Sequence, residues 1–562
     1  MNIVIFLGAF YLILLSVLGY GFLFLKIFTN SENYPTNHDI YLKYVGFLGL
    51  SFLTFISYIT HLFVNHGYFH NITLHFIGFI FGIIFLINNK KFIKYIIIIS
   101  FFVICSLFIS KGNEDLPYYH LPYTIYLIEH KIIFGMGHLN HGFNLLSSIF
   151  YLNSIFYLPY INLYSFHFSQ LYFLIFFSFF LFNEVFKNKD NKNFIKFLYT
   201  FAFMFFVLSF NRIAEYGTDK VGQLLVVILV MHLFNTLYEK KQIAKVEIAL
   251  IFSLFIYLFT LKTYFLTYSL LIVPILILQK DKLAFLKNIT YSKIFLYSFT
   301  FLCLLIITNI VATGCLISPI KQLCFGPDNL LWARKIESIG SLNLWVEQWA
   351  KAGAGPNFRH DNPSQYIQYF NWVGGWVDRY FFNKFTDTIG IFLIVLLVLF
   401  FSTYKLENIN IIKRYNKHFY FVFAIFLIFF VWFFKHPTLR YGGYSIFFLV
   451  LSIPISLVVE KLKIKINFIK KLKYMIIITL LVFNFKNLSR IYDEFQRDDM
   501  FKYTDFPNYA IQYNKFDTIK TESGLDLYQP TNGACWVTPA PCYRGNDLSF
   551  YKINNYYFIK GK

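Results

Sequence analysis

Glu114 and Asp115 follow the apolar run "YIIIISFFVICSLFIS" (residues 95–110) after only Lys111, Gly112 and Asn113, and Tyr119, His120, Glu129, His138 and His141 come soon after. A carboxylate at the exit of a hydrophobic segment, where water thins out, is placed to take a proton from a hydroxyl as a general base. Asp115 is the candidate, with Glu114 beside it. His120, after "PYY", is placed to orient that carboxylate or to bind phosphate, together with Tyr119. The plainer readings are a solvated acid at lipid headgroups and an amphipathic interfacial histidine.

A second set of residues is cationic. Arginine binds phosphate through a planar fork and stabilises the charge that grows on a phosphate leaving group. Arg440 in "KHPTLRYGG" is the foremost candidate, with Lys435 and His436 completing a basic cluster between two apolar runs. Arg212 in "NRIAEYGTDK" is a further cation, accompanied by Glu215 and Asp219, which can neutralise it. His138 and His141 in "GHLNHG" have the spacing of a divalent-ion pair, but no further fixed ligand accompanies them. No metal site is assigned.

The elements that must position these groups are membrane spans. The 562 residues are 57% hydrophobic, 22% aromatic and 14% charged, too apolar for a soluble chain of this size. A net charge of +21 would suit nucleic acid on a soluble domain. Here the lysines lie between apolar runs, where they report orientation, and no nucleic-acid partner is expected. Runs long enough to cross the hydrocarbon core predict about fourteen transmembrane helices, an all-α polytopic membrane protein. They cover 3–28, 43–65, 72–88, 92–110, 166–186, 195–211, 220–238, 246–261, 263–279, 293–312, 387–404, 418–434, 441–459 and 474–487.

Six alternate connections, at 88–94, 187–196, 240–245, 280–287, 405–417 and 461–473, carry three to six Lys or Arg each, whereas 66–71 carries none. Basic loops stay in the cytoplasm. That rule places 111–165, 211–219, 313–386, 435–440 and the tail from 488 on the extracytoplasmic side, where every candidate residue above then lies. The expected organisation is additional transmembrane helices over 1–91, a transmembrane core over 92–487 with interfacial helices in outer loops 111–165 and 313–386, and a small extracytoplasmic C-terminal cap over 488–562. The five tryptophans of 313–386 are expected at the headgroup level.

Cysteine usage agrees with that sidedness. Cys105 and Cys303 lie inside spans, while Cys535 and Cys542 in "CWVTPAPC" close a short loop that suits a disulfide in an oxidising compartment. Cys315 and Cys324 form a second, more open pairing.

An apolar span followed at once by an outer acidic residue, then interfacial helices and more spans, resembles the GT-C superfamily of polytopic glycosyltransferases that use polyprenyl-phosphate-linked sugars. More closely, "DLPYYHLP", "NLLSSIFYLNSIFYLP", "TGCLISPIKQLCF" with "WAR", "HPTLRYGG" and "CWVTPAPC" look like a family of bacterial multi-pass membrane proteins without a characterised function. The resemblance implies an inverting transfer of a sugar from a polyprenyl-phosphate donor to the hydroxyl of a glycan, lipid or protein acceptor. It also implies Asp115 as the base, membrane lipid as a partner, and a place in the bacterial plasma membrane serving cell-envelope polysaccharide. No DxD accompanies Asp115; no cofactor is called for and a divalent metal stays open. Two other readings compete. An O-antigen-type polymerase or ligase would use loop arginines, with Arg359 and Gly375 at a suggestive spacing, and a transporter would move a lipid-linked or small substrate.

Overall fold

The computed structural model describes residues 3–29, 41–110, 115–188, 190–215, 217–239, 245–279, 281–352, 360–405, 418–498, 502–544 and 548–561. All fourteen apolar runs are helical. The backbone of a lipid-facing segment must satisfy its own hydrogen bonds, and a helix does so within the segment. Numbering the helices of eight or more residues, α1 is Ile3–Phe28, α2 Val45–His61, α3 Tyr68–Asn88, α4 Lys90–Val103, α5 Leu121–Glu129 and α6 Ser148–Ile155. The central bundle follows: α7 Phe168–Phe182, α8 Asn193–Ser209, α9 Asp219–Glu239, α10 Lys245–Leu261, α11 Lys282–Thr290 and α12 Lys293–Thr313. The remainder are α13 Ile336–Ala352, α14 Thr386–Thr403, α15 Phe419–Lys435, α16 Tyr444–Val459 and α17 Phe468–Phe495.

Eight helical stretches among the described residues are long and apolar enough to cross a membrane, and α2, α8, α10 and α15 are shorter apolar helices. The run at 263–279 departs from a regular span. It forms a 3-10 helix over Thr263–Leu271 and then a short α-helix over Ile272–Leu278, with Pro274 in its first turn.

Packing sorts the helix ends into two faces. On one, Asp219 at the start of α9, Lys262 after α10 and Arg440 before α16 meet Asp115. On the other, Lys43 before α2 pairs with Glu184 after α7 at 2.7 Å, both side chains buried. Asn191 donates to the same carboxylate at 2.7 Å and accepts from Asn235 near the end of α9 at 2.9 Å. The first three helices are part of this packing. Tyr172 on α7 donates to the Phe10 carbonyl at 2.7 Å, and α1 lies so close to α3 that a Cβ at Gly19 would collide with the carbonyl of Gly78.

The C-terminal cap is built of strands. Three antiparallel hairpins pair β1 (Tyr503–Asp505) with β2 (Asn508–Tyr509), β3 (Phe516–Lys520) with β4 (Asp526–Pro530), and β5 (Leu548–Ile553) with β6 (Tyr556–Gly561). The cap is joined to the segment after Asp115 through backbone groups. Trp536 N–H donates to the Pro117 carbonyl at 2.9 Å, Ala540 N–H donates to Glu129 at 2.7 Å, and Phe134 exchanges hydrogen bonds with β6. Cys535–Cys542 and Cys315–Cys324 are both disulfides. The bridge in "CWVTPAPC" closes the loop that carries Trp536 and Ala540.

Candidate functional site

The chain brings Asp115 and Arg440 together across 325 residues of sequence. Arg440 Nη2 donates to Asp115 Oδ2 at 2.6 Å, and its Nε donates to Asp219 Oδ2 at 2.9 Å. Lys262 Nζ holds the other oxygen of Asp219. The result is a chain of alternating charge, Asp115–Arg440–Asp219–Lys262. Asp219 is its inner member, with a side chain 11% exposed, while Asp115 remains 28% exposed. Trp349 of α13 lies against the guanidinium, its ring 5.2 Å away, and Lys262 lies 4.4 Å from the Tyr441 ring.

Local irregularities make this meeting possible. Asp115 opens a π-helical turn over Leu116–His120, and Arg440 lies at a kink over Leu439–Gly443, where Tyr441 and Gly442 leave helical geometry. Gly442 has φ 83°, and a Cβ there would stand 2.6 Å from the Tyr264 ring, so only glycine fits the turn that aims Arg440. Trp376, outside α14, donates its ring N–H to the Pro437 carbonyl at 2.7 Å and steadies the approach to that turn.

Arg440 stands between two cavities. The first, about 510 Å³, is lined by Asp219, Lys220, Glu215, Asn383, Lys384 and Lys486 among others. The second, about 410 Å³, is more apolar, with Leu145, Leu146, Leu266, Ile320 and Val431 in its wall and Tyr119, Lys262, Lys435 and His436 at its polar points. Ser318, 3% exposed, lines the second cavity, and its hydroxyl has no hydrogen-bond partner among the described residues. A buried hydroxyl in that condition suits a ligand that brings its own polar group.

The sequence candidates fall out unevenly. Asp115, Arg440, Tyr119, Lys435 and His436 surround this partition. Lys435 is turned outward, 61% exposed and 3.3 Å from Glu347, which also binds Lys351. His436 does not make the cluster more basic: burial pushes its imidazole down to about 4, so it is neutral near pH 7. His120 departs from the phosphate-binding role. Its ring is buried 5.3 Å from Phe150, lines neither cavity, and is pushed down to about 4 by burial although Asp115 pulls the other way. Arg212 lines neither cavity and grips Glu215, which Arg490 also binds at 3.2 Å. Glu114 and Arg359 lie outside the described residues.

His138 bonds the Trp332 carbonyl and His141 packs on Trp345, and among the described residues no group of three or more His, Cys, Asp or Glu is gathered to hold a metal. The tryptophans expected at headgroups are drawn inward in part, Trp372 and Trp376 being buried and Trp349 covering Arg440. Lys262 is a site residue that sequence reasoning left out, and Asp219 reads in the sequence only as a neutraliser of Arg212. The signals were a lone acid opening an apolar helix and a lone lysine between two apolar runs.

The neutral histidines give a pH dependence with a definite sign. Unfolded, His120 and His436 protonate near 6.5. Folded, they do so only near 4. Between these values the unfolded chain binds more protons, so stability falls as pH drops from about 6.5 towards 4. The thermal midpoint of the detergent-solubilised chain is expected to be lower at pH 5 than at pH 7, with the difference reduced in H120Q/H436Q. Equal pH dependence in the variant and the wild type would contradict this assignment.

The chain belongs to the family described as a domain of unknown function, DUF8201, whose model matches residues 2–448. No curated protein and no solved structure matches it.

Proposed function

We propose that this member of the DUF8201 family is a membrane glycosyltransferase of GT-C type, moving a sugar from a polyprenyl-phosphate donor to a hydroxyl of a glycan, lipid or protein acceptor. The observation that carries the reading is the partly exposed Asp115–Arg440 pair, whose arginine lines both a charged cavity and a more apolar one. The apolar cavity reaches the flank of α15, where Phe423, Phe430, Val431 and Phe434 are exposed, a surface suited to lipid. A polyprenyl chain enters there, and its phosphate comes to rest between Arg440 and Lys435, with the Ser318 hydroxyl in reach.

Transfer then needs one displacement. Asp115 takes the proton of the acceptor hydroxyl, whose oxygen attacks the anomeric carbon from the face opposite the phosphate. The bond from that carbon to the phosphate oxygen breaks, and its electron pair leaves on polyprenyl phosphate. The configuration inverts. Arg440 balances the charge gathering on the leaving group. Its guanidinium has five N–H groups, of which Asp115 and Asp219 engage one each, leaving donors to turn towards phosphate. Asp219 and Lys262 fix the guanidinium in place.

In this reading each of the fourteen apolar segments crosses the bilayer. The basic connections face the cytoplasm, and the site and the hairpin cap face outward from the bacterial plasma membrane, as the loop charges suggest. A transporter is the second reading, favoured by the buried pair His232–Glu247 between α9 and α10. Proteoliposomes supplied with polyprenyl-phosphate-linked sugars and candidate acceptors separate the two. Release of polyprenyl phosphate together with a glycosylated acceptor supports transfer, whereas accumulation of intact substrate across the bilayer without cleavage ends that proposal and supports transport.

A further inference from the structure

We propose that the 510 Å³ cavity on the Asp219 side of the partition is an anion site of its own, taking a sugar that carries a phosphate or carboxylate group. Calling that sugar the acceptor rests on the glycosyltransferase reading; the binding does not.

The charges lining this cavity are cationic in excess once their partners are followed. Lys220, Lys384, Arg440 and Lys486 come from four separate segments, and the facing acids are Glu215, Asp219 and Asp387. Two of those acids are already held from outside the lining. Glu215 is bound by Arg212 and Arg490, and Asp219 by Lys262 in addition to Arg440. Lys220 donates to the Arg212 carbonyl at 2.6 Å and stands 3.9 Å from Glu215, Arg440 is shared with Asp115 outside the lining, and Lys384, Lys486 and Asp387 are the exposed charges of the lining. Positive charges gathered around one concave site draw an anion more strongly than the same charges spread over flat surface.

A second observation points to the same place. Thr438 lines the cavity with its side chain fully buried, and its hydroxyl has no hydrogen-bond partner among the described residues. Asn211, Asn383 and Ser209 add neutral hydrogen-bonding groups around it. Cations, amides and an unpartnered hydroxyl in one lining match a sugar bearing both hydroxyls and one anionic group. A neutral sugar would leave the cations unanswered.

The test is direct binding to the full chain in nanodiscs of neutral phosphatidylcholine, by titration calorimetry with glucuronic acid, glucose 1-phosphate, glucose and farnesyl phosphate. At least one anionic sugar is expected to bind ten times or more tighter than glucose and to weaken as salt is raised. K384Q/K486Q, at two exposed positions, is expected to lose that affinity tenfold or more while K435Q keeps it. The uronate and phosphate arms tell which anion is preferred. Equal binding of glucose and the anionic sugars, no binding of either anion, or loss in K435Q with retention in K384Q/K486Q would overturn the proposal, the last by assigning the anion to the other cavity. Farnesyl phosphate displaced by glucuronic acid at a single shared site would overturn it too. A chain that binds anionic sugar yet never cleaves a lipid-linked donor refutes glycosyl transfer and leaves this site standing; the reverse result refutes this site alone.

Discussion

Asp115→Asn will fold like the wild type and lose transfer by about 10²–10⁴-fold, the range that a positioned general base contributes. The substitution preserves size, and the amide oxygen can still accept from Arg440. Arg440 also keeps its 2.9 Å bond to Asp219, so the guanidinium is not stranded. What disappears is the capacity to take a proton. Donor cleavage in proteoliposomes, measured beside the thermal midpoint, separates a chemical loss from a structural one. Glu114→Gln, at the neighbouring carboxylate, is the companion variant and is expected to retain most of the rate. Undiminished cleavage by Asp115→Asn would remove the base from the mechanism.

Asp219→Ala will have the largest effect on stability, about 3–5 kcal/mol, because it leaves Lys262 without its carboxylate and takes from Arg440 one of its two. The carboxylate is the one group shared by Lys262 and Arg440. Without it the two positive charges face each other across the partition, and the guanidinium is free to swing onto Asp115. Activity is therefore expected to fall together with the unfolding midpoint. Adding Lys262→Met should recover part of the loss, since the double variant removes a charge that the single variant leaves unpaired. A midpoint unchanged in Asp219→Ala, or a double variant worse than the sum of its parts, would contradict the role assigned to this carboxylate.

The bundle was legible because lipid imposes a simple demand. A chain that crosses hydrocarbon must show long runs without charge, and such runs at 3–28, 72–88 and 293–312 became the continuous helices α1, α3 and α12. The run at 263–279 shows the limit of that rule, since composition does not distinguish an α-helix from the 3-10 turn that Thr263–Leu271 adopts. Both disulfides were within reach of cysteine spacing. The hairpins of the cap were not, being short strands with few alternating apolar positions. Within the site, Asp115 and Arg440 stood out by residue type and place, but nothing local to either announces the other. Their contact depends on where α9, α10 and the turn at Gly442 set the helix ends. In the sequence Asp219 reads as a neutraliser of Arg212 and Lys262 as a lysine at a span edge, and only the packing reveals them as a pair. His436 looked cationic because sequence carries no measure of burial, which is what keeps its ring neutral.

The central claim is that a lipid-linked phosphate is held at the partition, within reach of both members of the Asp115–Arg440 pair. A structure of the full chain in nanodiscs with a polyprenyl-phosphate sugar bound tests it without recourse to rates. The account predicts the phosphate in hydrogen-bonding contact with Arg440, the isoprenoid along α15 in the 410 Å³ cavity, and the anomeric carbon turned towards Asp115. Headgroup density at the opposite face, in the cavity beside Lys192 and Glu460, with none at Arg440, would contradict it.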